Sequence, residues 1–270
     1  MTVKPVIPKI INAAGQIREL VDQVVALHGG PEVSKPTMYI DLEGEQLSRE
    51  GTISIFTLLL DTGDASLTTY LIDVHQLGAQ AFDTAGTQQN LTLKDILQDA
   101  RIPKAFWDVR NDSDALFALF GVALQGVVDI QLMENAARAT TKSRRFVGSL
   151  ENYVQKVYLG GSVFASGWGA AKVKGKDLFD PDRGGSFEAL NERPMSDDIV
   201  SYCVGDVQVL PELWNRLHGG DESWLKIVGR RTEERVIASQ EPNYQPVGTY
   251  KSLAPWSPNE NDHLNYLVSN

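Results

Sequence analysis

Met38-Tyr39-Ile40-Asp41-Leu42-Glu43 reads as a β-strand that carries two carboxylates on one face. Side chains alternate along a strand, so positions two apart point the same way. Asp41 and Glu43 therefore project together, beside apolar Ile40 and Leu42. Like charges on a core strand repel unless a cation lies between them. The competing reading is that Glu43 already sits in the turn before Gly44 and is simply solvated.

Outward from this strand, Thr52–Leu60 and Thr68–Val74 are rich in β-branched and aromatic residues and are set off by Gly and Asp turns. They predict two more strands, giving three consecutive antiparallel ones. Leu91–Ala100 predicts a short helix. Lys104–Val109 predicts a fourth strand running into a helix over Ser113–Phe120. Gly126–Ile130 predicts a fifth strand feeding a helix to about Thr140, and Leu150–Tyr158 another helix. Residues 160–195 are rich in Gly, Lys and Asp and read as an ordered insertion or long loop. Ser196 is a good N-cap for a helix to about Leu217, with Asp197 and Asp198 in its first turn. This order predicts an α/β layer fold, a mixed five-stranded sheet covered by helices.

The ends read differently. Residues 1–37 predict an N-terminal extension with one helix, about Ile10–Leu27, ended by Gly29-Gly30 and followed by a loop with Pro31 and Pro36. From Gly219 the chain is more polar, and Pro242, Pro246, Pro255 and Pro258 predict an irregular or extended C-terminal extension over 219–270. The central domain is thus expected over 38–218.

Composition bounds the function. The 270 residues suffice for one large domain with a full core, and 42% hydrophobic content fits an ordered protein. No stretch is apolar for the roughly 18 residues a membrane-spanning helix needs. Met1–Lys9 lacks the pattern of a secretory signal, and the one cysteine, Cys203, allows no internal disulfide. The expected setting is cytoplasmic or nuclear, without membrane contact. The net charge of −10 argues against holding nucleic acid by bulk electrostatics. It does not argue against taking a strand end through bound metal, because divalent cations can stand between carboxylates and phosphate. A local grip would then come from Lys142, Arg144 and Arg145, from Lys172, Lys174 and Lys176, or from Arg230 and Arg231, although a solvated face is the simpler reading of each group.

Two further segments carry chemistry. Tyr202 and Asp206 lie four apart on the predicted last helix and share a face. A carboxylate there suits a metal, and a phenol beside it can orient water. The plainer reading is a half-buried helix face. In Asp108-Val109-Arg110-Asn111-Asp112 a strand meets a helix N-terminus crowded with carboxylates, and taken alone, capping by Asn111 or Asp112 explains that better.

Taken together, in order and on these elements, the three segments resemble the DEDD superfamily of 3′→5′ exonucleases, in the subgroup with tyrosine in its last motif. Asp41-Leu42-Glu43 is similar to the first motif, Asp112 with Ser113-Asp114-Ala115-Leu116 to the second, and Tyr202-Cys203-Val204-Gly205-Asp206 to the third. Arg193-Pro194-Met195 resembles the Arg-Pro-Leu that often precedes the last helix in RNase D-like domains, and Gly175–Glu188 resembles the insertion of the Egalitarian-type branch. The resemblance spans about residues 38–217. Asp108 departs from it, since the second motif often has Asn there; a carboxylate at that place could bind metal, substrate or a water.

The resemblance implies a ribonuclease H-like fold and hydrolysis of nucleic acid, RNA rather than DNA, from a single-stranded 3′ end. It implies Asp41, Glu43, Asp112, Tyr202 and Asp206 as catalytic residues. Asp41 would bridge two ions, Mg²⁺ or Mn²⁺, with Glu43 and Asp206 completing one metal site and Asp112 holding the other. Such ions, about 3.5–4 Å apart, clamp the attacking and leaving oxygens. All-oxygen ligands suit Mg²⁺, and no His/Cys cluster suggests zinc. Lys172, Lys174 and Lys176 are candidates for gripping the strand backbone, and Trp168 and Phe187 for base stacking. Cys203 reads as core packing, and His75 has no assigned role. Two other readings compete: a relative that binds RNA or protein without catalysis, and a homo-oligomeric scaffold built on the extensions. A haloacid dehalogenase-like phosphatase needs Asp-x-Asp, which Asp41-Leu42-Glu43 does not match.

Overall fold

In a computed structural model, which describes residues 7–29, 35–63, 67–157, 163–218 and 221–269, a mixed sheet carries the strand Met38–Glu43 near its middle. The strands are β1 (Lys9–Ile11), β2 (Met38–Glu43), β3 (Ile55–Asp61), β4 (Leu67–Asp73), β5 (Lys104–Phe106) and β6 (Val127–Asp129), in the spatial order β1-β4-β3-β2-β5-β6. β2, β3 and β4 form the expected antiparallel meander, with Asp41 opposite Thr57. β5 runs parallel to β2, β6 parallel to β5, and β1 parallel to β4.

Alternation along β2 decides what faces where. Met38, Ile40 and Leu42 join one hydrophobic core with Phe56, Leu58 and Leu60 of β3. That core is covered by α1 (Ala14–His28), the short α2 (Val74–Leu77) and α3 (Gln80–Asp83), α4 (Leu93–Gln98) and α5 (Arg110–Phe120). Tyr39 packs in the core on the opposite face, and Asp41 and Glu43 share its side of the strand. That face carries α6 (Ile130–Ala136), α8 (Leu150–Val157), α9 (Val163–Phe179), α10 (Asp197–Gln208) and α11 (Leu210–Leu217), with the single turn α7 (Thr141–Arg144) beyond them. α12 (Glu222–Gln240) runs along β6 and touches both α5 and α6, while α13 (Pro258–Ser269) packs on α12 and α7. Each fully buried aliphatic side chain in these layers contributes about 1.5–3 kcal/mol.

Four expectations need correction. The sheet has six strands, because Lys9–Ile11 pairs with β4 and the first helix begins at Ala14 rather than Ile10. Its buried face, Ile17, Leu20, Val21 and Val24, belongs to the same core as the sheet. Residues 163–179, read as insertion or loop, form the 17-residue helix α9: glycines and alternating lysines hid its period. The tail holds the 19-residue α12 and also α13, so its prolines fall between helices and at the start of α13. The helix expected over 196–217 is two, divided at Val209 before Pro211, which cannot donate the next backbone bond. The loop expected after Gly29 and the end of a helix at Tyr158 fall outside the described residues.

Candidate active site

α10 crosses β2, β3 and β4 on the side that Asp41 and Glu43 face. Its start is fixed by Ser196, whose hydroxyl accepts from Ile199 N at 3.3 Å. Its apolar residues Ile199, Cys203 and Val207 are buried. One turn apart, Tyr202 and Asp206 then look toward β2. Carboxylate oxygens of Asp41, Glu43 and Asp206 come within 4.8 Å of one another. Asp112 lies in the first turn of α5, after an N-cap at Val109, so it is not the cap and its carboxylate is left for other work. It stands within the electrostatic field of Asp41 and Glu43.

Burial first, and mutual repulsion second, push Asp41 well above the usual carboxylate range, with Glu43 and Asp206 the repelling neighbours. Burial raises Asp112 well above that range too, and Asp41 adds to it. Glu43 is raised to about 7 by burial, against the opposing pull of Lys172. Asp206 is raised by burial although Lys172 pulls it down. Two buried oxygens of the cluster, Asp41 Oδ2 and Asp206 Oδ1, have no hydrogen-bond partner, and neither has Thr57 Oγ1 opposite Asp41. Unpaired buried carboxylate oxygens are costly. An oxygen-only set of this kind, Asp41 and Glu43 from β2 and Asp206 from α10, fits a hard divalent cation.

One cation is already built in. Lys172, on α9, is 7% exposed and donates to Asp206 Oδ2. Its ammonium lies 3.7 Å from the centre of the Tyr202 ring. α9 can approach this closely because Gly175 faces Tyr202: a Cβ there would stand 2.5 Å from Tyr202 Cβ. Trp168 Nε1 donates to the Gly205 carbonyl at 2.9 Å and ties α9 to α10. That bond and its burial make Trp168 part of the core, and Phe187 packs beside α10 rather than standing free for a base. Cys203 is buried as expected, its thiol pushed up by burial.

The three lysines do not form a stripe, since helical positions two apart do not share a face. Lys172 points inward, Lys176 pairs with Glu151 at 2.9 Å, and Lys174 is exposed, 3.8 Å from Asp198. Asp108, in a left-handed backbone conformation (φ +62°), is gripped by both arms of Arg110 at 2.5 Å and faces Arg235 at 3.7 Å. Its carboxylate therefore holds α12 against the second motif instead of joining the cluster. Arg144 is fully buried among Asn261, Asn265 and the Arg138 carbonyl, and Arg230 and Arg231 grip Glu260. These basic residues are structural.

Sequence reasoning missed two contributors. Arg193, noted only as part of a motif, is paired with Asp73 at the end of β4 and so fixes the approach to α10. Lys251 donates to Asn111 Oδ1, next to Asp112. It lies in a tail that shows no period and no motif, so nothing in the sequence marks it.

With this geometry in hand, the model of the family described as 3′-5′ exonuclease matches residues 27–219. Trypanosoma brucei RNase D in complex with GMP superposes at 23% identity over 96% of this chain and 71% of its own, TM-score 0.67. The same enzyme in complex with RNA U12 gives 22% identity, 96% and 79% coverage and TM-score 0.67. Escherichia coli RNase D, an exoribonuclease involved in structured RNA processing, gives 16% identity over 87% of this chain and 51% of its own, TM-score 0.54. At these identities the likeness is one of fold. No curated protein matches the sequence significantly.

Proposed function

The chain belongs to the 3′-5′ exonuclease family, RNase D-like within the DEDD superfamily, and from that premise we propose that it shortens RNA from a single-stranded 3′ end with two divalent cations. As a family member it is a hydrolase of phosphodiester bonds. The observation that carries the metal reading is the pair of partnerless buried oxygens, Asp41 Oδ2 and Asp206 Oδ1, in a cluster with Glu43. RNA is favoured over DNA because the neighbouring fold has been seen with RNA U12 and GMP.

Asp41, Glu43 and Asp206 would hold one ion, and Asp41 with Asp112 the second. Bound divalent ions supply an acidified water and charge stabilisation at the phosphate. The chain's own residues do the rest. Tyr202 lies against Glu43, and burial keeps its hydroxyl protonated far above neutral pH. It therefore acts as a donor that orients the attacking water, not as a base. Lys172 takes Asp206 Oδ2 and thereby turns Oδ1 toward the cluster, as partners of metal-bound carboxylates do. Asp108 and Arg110 set the turn that delivers Asp112.

Among the described residues no helix is long and apolar enough to cross a membrane. A cytoplasmic or nuclear setting is our reading of the single cysteine. The test is a digest of end-labelled RNA and DNA, single- and double-stranded, with Mg²⁺, Mn²⁺ or chelator. Stepwise loss of mononucleotides from the 3′ end of single-stranded RNA, stopped by chelator, is expected. A strand that is bound but never shortened would leave the chain a binding module.

A further inference from the structure

The C-terminal segment does more than close an edge of the sheet. Residues 249–253 lie alongside 145–147: Val147 N donates to the Ser252 carbonyl at 2.9 Å, Ala254 N donates to the Arg145 carbonyl at 3.1 Å, and Phe146 bridges to Leu253. The paired segments display two large aromatic side chains, Phe146 at 47% exposure and Tyr250 at 46%. The Arg145 guanidinium lies 5.0 Å from the Phe146 ring centre. Next to Tyr250, Lys251 turns inward to the N-terminus of α5. Its ammonium donates to Asn111 Oδ1 and, at 3.0 Å, to the Pro246 carbonyl, both neutral acceptors. Arg110 donates to the Lys251 carbonyl at 2.9 Å and so locks this segment to the second motif. Among the described residues no carboxylate is ion-paired with Lys251, although Asp108, Asp112 and Asp114 lie within its field. On the α9 side the cations are already taken, Lys172 by Asp206 and Lys176 by Glu151.

We propose that segments 145–147 and 249–253 together receive the single strand just behind its 3′ end. Lys251 holds a backbone phosphate beside Asp112, and Phe146 and Tyr250 offer faces to the bases. The occupant is a single-stranded nucleic acid because the surface combines exposed aromatics with a cation free of carboxylate partners, adjoining Asp112 of the second motif. Exchanging the neutral amide oxygen of Asn111 for a phosphate oxygen gives Lys251 an anionic partner, with both ends of the bond ionised. Stacking on an aromatic face is tolerant of sequence. In a chain of net charge −10, a lysine without a carboxylate partner beside Asp112 carries weight in attracting an anionic strand. This surface rests on the exonuclease reading and adds to it a segment beyond the family-matched residues, which end at 219.

The test uses the full chain with Lys251→Met, Lys251→Arg and Phe146→Ala. A 5′-fluorescent single-stranded RNA of about twelve nucleotides, within the usual reach of such surfaces, is bound in Ca²⁺ at several salt concentrations. Lys251→Met should weaken binding on the order of 10-fold and flatten the slope of log affinity against log salt by about 0.7, the loss of one phosphate contact. Lys251→Arg should restore the slope. Phe146→Ala should weaken binding on the order of 10-fold without changing the slope. Stabilisation by Mg²⁺ should match the parent in all three. Unchanged affinity and slope for Lys251→Met overturn the proposal. So does a loss that arginine does not restore and that diminishes the Mg²⁺ stabilisation, since Lys251 would then only support Asn111. If the parent fails to shorten the strand in Mg²⁺, the exonuclease reading itself falls. A parent that shortens it while all variants bind alike removes this surface alone.

Discussion

Lys172 donates to one oxygen of Asp206 while the other oxygen, Oδ1, has no donor at all. The two residues lie 34 positions apart in sequence, on α9 and α10, and are brought together where Gly175 lets the helices touch. A buried ammonium thus partly neutralises a cluster of acids, and it leaves one defined carboxylate oxygen unpaired.

Replacing Lys172 by Met should destabilise the metal-free protein by about 3–5 kcal/mol, the usual result of leaving one partner of a buried pair uncompensated. Divalent cation should recover part of this. The rise in melting temperature on adding Mg²⁺ is therefore expected to be larger in Lys172→Met than in the parent. Equal shifts in both would show that the lysine does not share charge with the metal site.

Asp41→Asn should remove activity by on the order of 10³-fold or more, as loss of a central catalytic group does. It should leave the metal-free fold at least as stable, since Asp41 is repelled by Glu43 and Asp206. Turnover of labelled RNA and thermal melts check both halves. A variant that digests RNA at the parent rate would end the assignment.

The metal-free protein should lose stability as pH rises. Glu43 is raised from 4.5 to about 7 in the folded state, so between these values the native state holds a proton the unfolded chain has released. Stability then falls with pH across that window, and Asp41, Asp112 and Asp206 shift in the same direction. Saturating Mg²⁺ should abolish or reverse the slope, because the ion takes the place of the protons. Melting temperatures from pH 5 to 7, with and without Mg²⁺, read this directly, below the range where Lys104, lowered to about 7 by burial, acts in the opposite direction; a metal-free curve that climbs between pH 5 and 7 contradicts it.

Tyr202→Phe should lower kcat by about 10- to 100-fold while keeping the Mg²⁺-induced stabilisation, the outcome that the proposed role of orienting water without binding metal requires. Since burial holds the phenol protonated, the parent should show no Tyr202-dependent loss of rate near neutral pH. Loss of Mg²⁺ stabilisation in the variant would instead make Tyr202 part of the metal site.

Gly175→Ala puts a Cβ 2.5 Å from Tyr202 Cβ, against a backbone-anchored part of the side chain. One helix must shift, at a cost of about 1–3 kcal/mol. The expected outcome is a lower melting temperature and a fall in kcat like that of Tyr202→Phe. A variant with parent stability would mean that α9 packs less closely on α10 than described.

The first and last acidic motifs were legible because each lies on an element whose period shows in the sequence. Alternation in Met38–Glu43 puts Asp41 and Glu43 on one face, and the four-residue spacing does the same for Tyr202 and Asp206. Those two periods are local properties of the backbone, so residue spacing alone determined which side chains share a face. What the sequence could not determine is which faces meet. Lys172 looked like one of three strand-gripping lysines, yet it pairs with Asp206, while Lys176, one turn on along the same face, pairs with Glu151 and Lys174 lies off that face near Asp198. Asp108 looked available to a metal or substrate, but Arg110 and Arg235 occupy it. Lys251 carried no signal, and comes to Asn111 only because α12 runs along β6 and returns the tail to α5. Charge partners are chosen by distance in space, and long-range packing sets that distance.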